Sequence, residues 1–216
     1  NNNPEWRGYN YRDDDRPEWL HASVSETAKS IMQHLNACAD VNAVNLVGTI
    51  LLASPNQTID EQELVRMLDF YRQLVLTLEY AERVTVDEHK PLQQIHYAEK
   101  LGMAARRKHE LGDFIYLKQQ TAVMMTYYRN NTLHLFALPS LIACCFINVA
   151  AMGNDKVTRL IRICYPFLKK EFFLPWKLSH INEAVDKMLA CIADSGILVY
   201  SEGSDIYSKP PSSTQQ

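Results

Sequence analysis

No Cys-x2-Cys pair occurs in this chain. Its five cysteines, Cys38, Cys144, Cys145, Cys164 and Cys191, are odd in number. That excludes a cysteine-based zinc site and a secreted disulfide framework, and the five read as buried thiols in a reducing cytoplasm. Glycine is scarce, 7 residues in 216, and proline contributes 9, which excludes a low-complexity or collagen-like chain. There is no excess of basic residues: 22 Lys and Arg face 25 Asp and Glu, for a net charge of -3. A general nucleic-acid binder needs a concentrated basic face, so no nucleic-acid partner is predicted. Gly-x-Gly-x-x-Gly, P-loop and Gly-x-Ser-x-Gly motifs are missing, and no cofactor or metal is implied. There is no initiator Met and no basic stretch leading into an apolar one. The opening, Asn1-Asn2-Asn3-Pro4-Glu5-Trp6, leads us to expect a piece of a longer product. Charge is also missing locally, because no Asp, Glu, Lys or Arg lies between Arg129 and Asp155.

What is present suits an α-rich globular chain, since 47% of the residues are hydrophobic. Residues 1–22 read as an extended lead-in, with Trp6 and Trp19 available to dock on neighbours. Ser23 and Glu26 form a capping box for a first helix with Ala28, Ile31, Met32 and Leu35 on its packed face. A short helix follows over 44–53, ended by the turn composition of Ser54-Pro55-Asn56. Thr58 and Glu61 suggest a second capping box before the stripe Leu64, Met67, Leu68, Tyr71, Val75 and Leu78. Pro91 opens a helix to about Met103, and 106–117 reads as a hairpin turning at Leu111-Gly112-Asp113. A long helix is predicted over 120–149, bent at Pro139. Asp155 and Ser179 are the expected caps of two more helices. One carries Val157, Leu160, Ile161, Cys164 and Leu168, the other Ile181, Ala184, Val185, Met188, Leu189 and Ile192. Gly196 is placed to end the latter. A second hairpin turns around Glu202-Gly203, and the Pro/Ser/Gln-rich tail 209–216 reads as disordered. The fold class is mainly α with two small β-hairpins. Three helices and a two-stranded wing, done twice over 23–118 and 119–208, suggest two tandem winged-helix-like units.

The candidate site is the polar run Tyr127-Tyr128-Arg129-Asn130-Asn131, with His134. On a helix, Tyr127, Asn130, Asn131 and His134 stand at i, i+3, i+4 and i+7 and share a face. Such a face of donors, with Arg129 beside it, either clamps a phosphate, a phosphopantetheine arm or a neighbouring domain, or forms a buried network that fixes the helix. Thr132 to Met152, 21 uncharged residues, reads as a core helix or as a face toward acyl chains or a membrane surface. His109, Glu110 and Asp113 belong to a solvated turn, and Lys169-Lys170 to a solvated helix end.

Several separate words of this sequence occur in one order that resembles the carboxy-terminal half of the bacterial sn-glycerol-3-phosphate acyltransferases. They are Arg16-Pro17-Glu18-Trp19-Leu20, Val41-Asn42-Ala43-Val44-Asn45-Leu46, Glu110-Leu111-Gly112-Asp113-Phe114-Ile115-Tyr116-Leu117, the Tyr127-to-Ala143 segment, and Tyr165-Pro166-Phe167-Leu168-Lys169-Lys170. The family carries a His-x4-Asp motif upstream, in which His is the general base. None of the seven histidines here has Asp five positions on. His34 with Asp40 is one residue too long, and His109 with Asp113 one too short. The resemblance therefore implies a downstream portion with no catalytic residue of its own. It scaffolds or covers an upstream catalytic domain, and the whole enzyme transfers an acyl group from acyl-CoA or acyl carrier protein to glycerol 3-phosphate. It also implies a membrane-surface partner and a place at the cytoplasmic face of the bacterial inner membrane. The alternative is a stand-alone winged-helix-like protein-interaction module. DNA readout is disfavoured, because 182–194 sets one Lys against Glu183, Asp186 and Asp194.

Overall fold

A computed structural model describes residues 18–211. In chain order the elements are α1 (Glu18–Asn36), β1 (Asp40–Val41), α2 (Ala43–Ala53), β2 (Thr58–Asp60), α3 (Glu61–Leu78), β3 (Thr85–Val86), α4 (Pro91–Lys100), β4 (Ala105–Arg107) and β5 (Phe114–Tyr116). Then come α5 (Gln119–Cys145), β6 (Ala151–Gly153), α6 (Asn154–Phe172), α7 (Ile181–Asp194), β7 (Val199–Ser201) and β8 (Ile206–Ser208). The fold is mainly α with small sheets, as the sequence suggested. Each expected hairpin gains a third strand. β2 adds to β5 in the order β2-β5-β4, and β6 adds to β8 in the order β6-β8-β7, all antiparallel. Helix, strand, two helices and hairpin therefore occur twice, as α2-β2-α3-α4-β4-β5 and α5-β6-α6-α7-β7-β8. A short parallel pair, β1 with β3, stands apart from both sheets.

Local chemistry sets the helix ends, at places that differ from several predicted caps. Ser23 and Glu26 lie inside α1, which already runs from Glu18, so the lead-in is helical over 18–22. Trp6 lies outside the described residues. Asn42 starts α2: its Oδ1 accepts from Val44 N and Asn45 N, and Asn45 Oδ1 accepts from Asn42 N at 3.2 Å. This is a reciprocal cap built from two Asn. Thr58 is drawn into β2, so Asp60 caps α3 instead, accepting from Gln62 N at 2.9 Å and Glu63 N at 3.1 Å. Gly153 precedes α6 and leaves Asp155 in the first turn, where a carboxylate still favours the helix dipole. His180, not Ser179, precedes α7. Gly102 (φ +72°) and Gly196 (φ +76°) close α4 and α7 in the left-handed region that favours glycine. At the far end, Lys209 N donates to Ala150 O at 2.8 Å, so the predicted disordered tail begins bound; 212–216 lie outside the described residues.

The core is one continuous cluster that spans both repeats. α2 is apolar apart from Asn45 and Thr49 and is buried from Ala43 through Leu51. It lies against α5, and a Cβ on Gly48 would stand 2.9 Å from Met125 Cε. α3 contributes Leu64, Leu68, Val75 and Leu78, and packs on α7, where Ile181, Val185, Met188 and Leu189 are fully buried. In α6 the inward positions are Val157, Ile161 and Tyr165; Cys164 points to solvent. Of the five cysteines only Cys191 is buried, while Cys38, Cys144 and Cys164 are exposed.

One ion cluster pins the first sheet to its helices. From β4, Arg106 reaches Glu61 at 2.6 Å, Glu99 at 2.9 Å and Asp113 at 2.9 Å. The predicted solvated turn is therefore a fastening point, and Asp113 belongs to it. The bond from Arg106 holds the Asp113 carboxyl below its ordinary range. Burial would raise Glu99, but the bonds from Arg106 and His96 outweigh it and bring it down. Carboxylates depressed in the folded state contribute stability above their ordinary range and lose it as pH falls. Arg106→Met is expected to cost about 1–2 kcal/mol at pH 7, as loss of a partly buried network. The difference from the parent chain should shrink toward pH 3, as followed by urea unfolding across pH.

Candidate functional site

α5 carries every residue of the predicted site, and the helix splits them among three environments. His134 turns inward. It is 5% exposed, and its Nε2–H donates to the Asn36 carbonyl at the end of α1 at 3.1 Å. The Asn36 side chain donates to Phe172 O at 2.8 Å, so α1, α5 and α6 meet at one residue. Tyr80 packs edge-on against His134 and against Trp176, and Tyr165 donates from its hydroxyl to Trp176 O at 2.8 Å. Burial pushes the Tyr80 hydroxyl up to about 12 and lowers His134 below its ordinary value. A neutral imidazole held this way anchors a helix; it is not poised as a base toward solvent.

Asn130 and Asn131 face a second place, a pocket of about 460 Å³ where Asn36, Asp40, Asn42 and Asn45 meet Met32 and Leu35 of α1. Asn45 Nδ2 donates to Tyr128 O at 2.7 Å, tying α2 to the same turn of α5. Tyr127 is exposed and stacks edge-on only with its neighbour Tyr128 among the ring contacts of the described residues.

Arg129 leaves on another side. Its Nε and Nη2 donate to Asn130 Oδ1 at 3.3 and 3.1 Å, and no carboxylate among the described residues pairs with it. It stands with Leu133, Phe136, Ser140 and Ala143 on one edge of an apolar cleft of about 340 Å³. Phe70, Tyr71 and Leu74 of α3, Leu52 of α2 and Ile192 of α7 form the other walls.

The structure thus brings His134 together with Asn36, and Asn130 and Asn131 with Asn42 and Asn45. It does not gather the five predicted residues at one point. Asn36, Asn45 and Tyr80 were missed. The spacing Asn42-x-x-Asn45 was a signal for the reciprocal cap, while Tyr80 gave none. The uncharged segment divides as well. Thr132, Leu135 to Pro139 and Ile142 are buried, and the helix stops at Cys145, before the predicted 149. Among the described residues no helix is long and apolar enough to cross a membrane, and no cluster of His, Cys, Asp or Glu is arranged to hold a metal ion.

The family model for the glycerol-3-phosphate acyltransferase C-terminal region matches residues 1–216. The chain belongs to this family. It is 38% identical over 213 residues to the glycerol-3-phosphate acyltransferase of Pseudomonas savastanoi pv. phaseolicola, covering 99% of this chain and 25% of that protein. The Xanthomonas campestris pv. campestris glycerol-3-phosphate acyltransferase is 37% identical over 196 residues, 91% of this chain and 22% of that protein. The chain spans about a quarter of the length of the curated relatives it matches. Within the polar run, His134 and the Tyr128 carbonyl tie α5 to α1 and α2.

His134 supplies the test of that fastening. Its folded state holds the ring neutral, so above its ordinary value of 6.5 folded and unfolded chains carry the same proton count. As pH falls below that value the unfolded chain takes up a proton first, and stability drops. His134→Gln is expected to lose about 1 kcal/mol at pH 7 with the bond to Asn36. It should also flatten the fall between neutral pH and pH 5, as read by thermal unfolding at each pH.

Proposed function

We propose that this chain is the docking and covering region of a glycerol-3-phosphate acyltransferase that transfers an acyl group from an acyl thioester to glycerol 3-phosphate. The base for the hydroxyl and the cationic phosphate site come from the remaining three quarters of such a protein. The family match supports the identity of the parent. The observation that carries the docking role is α1. Val24, Ala28, Ile31 and Leu35 recur at the 4-3-4 spacing of a helix–helix seam. The sequence placed Ala28, Ile31, Met32 and Leu35 on a packed face, yet Val24, Ile31 and Leu35 are 58%, 54% and 62% exposed. Three large apolar side chains in a row on a folded helix want a partner surface. The upstream catalytic domain is the partner of this reading, because most of the relatives' length lies outside this chain. The same reading sets the enzyme on the cytoplasmic face of the bacterial inner membrane, as a peripheral or monotopic protein, with acyl-CoA or acyl carrier protein as donor.

A second reading has one observation in its favour. The repeated order of helix, strand, two helices and hairpin, with the first strand beside the last, supports reading each unit as winged-helix-like. α4 and α7 then stand where such modules contact partners. In α7, Lys187 is engaged by Glu79 at 3.0 Å and Glu183 at 3.8 Å, so the helix offers acid and suits a protein partner over DNA.

Two measurements test the first reading. The 216-residue chain alone is expected to transfer no labelled acyl group from acyl-CoA to glycerol 3-phosphate, and measurable turnover would overturn the non-catalytic reading. Placed in the Pseudomonas savastanoi protein in exchange for its matching quarter, the chain is expected to support acyl transfer in isolated membranes. Ile31→Asp with Leu35→Asp should remove most of that activity while leaving the unfolding of the 216-residue chain within about 0.5 kcal/mol, as befits surface changes. Unchanged activity in the double variant would refute docking through α1.

A further inference from the structure

The cleft between the two repeats joins two features that are rarely left together. Its walls are aromatic and aliphatic, from Phe70, Leu133, Phe136 and Ile192, and its volume of about 340 Å³ is in the range of small-ligand sites. At its rim stands Arg129, partly buried, bonded to a neutral amide oxygen on its own neighbour and to no carboxylate among the described residues. Arg106 in the same fold shows the contrast, with three carboxylates around it. A guanidinium offers a planar fork of donors that matches a carboxylate or a phosphate in two parallel bonds. The amide oxygen of Asn130 occupies one edge of that fork and is readily displaced by a charged acceptor, which bonds roughly twice as strongly.

We propose that the Arg129 cleft binds a single-chain amphiphile, its anionic head on the guanidinium and its acyl chain between the repeats. Arg129, Leu133, Phe136 and Ser140 fall at 4-3-4 spacing along α5, so head and chain sites lie in line on one helix face. The opposite wall comes from α2, α3 and α7, so a bound chain touches both repeats and adds apolar contact across their junction. The shared chemistry is a carboxylate or a phosphate monoester on one alkyl chain. The inference stands on the cleft alone: inactivity of the exchanged protein described above leaves it intact, and failure to bind an amphiphile leaves the docking role of α1 intact.

The test uses the whole 216-residue chain, calorimetric titration and methyl NMR shifts, with dodecanoate, dodecyl phosphate and uncharged dodecyl maltoside, all below micelle formation. Saturable binding of either anionic ligand is expected, with shifts centred on Leu133 and Ile192, and with affinity about tenfold above the maltoside, the worth of one charge-assisted bond. Preference between the first two ligands tells carboxylate from phosphate. Arg129→Gln should bring the anionic ligands down to the level of the maltoside, and Arg129→Lys should restore part of the difference. Ala143→Trp, at an exposed position on the cleft rim, should block all three and serves if the Arg129 variants do not fold. The proposal is overturned by absence of saturable binding. It is also overturned by equal affinity for the uncharged ligand, by binding that Ala143→Trp leaves intact, or by attachment to anionic vesicles without binding of monomeric amphiphile.

Discussion

Everything in this fold is placed relative to the contact between α2 and α5. α2 is apolar apart from Asn45 and Thr49, both buried, so it must be surrounded, and α5 is the element that lies along it. The approach is close because residue 48 is glycine: any side chain there would press on the terminal methyl of Met125, itself fully buried. Asn45 secures the same junction from the polar side by donating to Tyr128 O. The first helix of one repeat is thereby the floor of the other. The sheets, the fastening around Arg106 and the His134 anchor are arranged outward from that junction.

Periodicity made much of this legible. The stripes of α3 and α7 pack inward where the spacing put them, because each helix turns one side to the shared core and the other to solvent, and the 3.6-residue repeat records that. Strands β2 and β6 were not legible. Thr58-Ile59-Asp60 and Ala151-Met152-Gly153 are too short to show alternation, and they become strands only because β5 and β8, more than fifty residues on, offer free edges. The caps slipped for a related reason. Thr58 is committed to a strand, so the next acceptor, Asp60, takes over the free amides of α3.

The candidate site shows where one-face reasoning runs out. Tyr127, Asn130, Asn131 and His134 share a face of α5, but α1, α2 and Tyr80 divide that face into a dry part and a wet part. His134 is in the dry part and Asn130 and Asn131 in the wet one. Arg129 follows a different stripe, with Leu133 and Phe136, which was visible in the spacing once a cation was allowed at the head of an apolar row. α1 is the converse case. Its apolar periodicity is real, but periodicity reports that a face will be covered, not that this chain supplies the cover.

The interleaving of the repeats has a consequence for how the chain reaches its native state. A duplicated plan invites the picture of two modules that fold one after the other. Here the innermost helix of the first copy finds its main neighbour some eighty residues downstream, and α3 leans on α7 at more than a hundred. Closing such long loops comes before the reward of burial. The first copy, as it leaves the ribosome, therefore carries an apolar α2 covered only by α3 and α4, with its α5 side open until that helix has been synthesised. Synthesis order then matters to this domain as much as sequence does: during that interval the nascent chain is at its most exposed to misassociation.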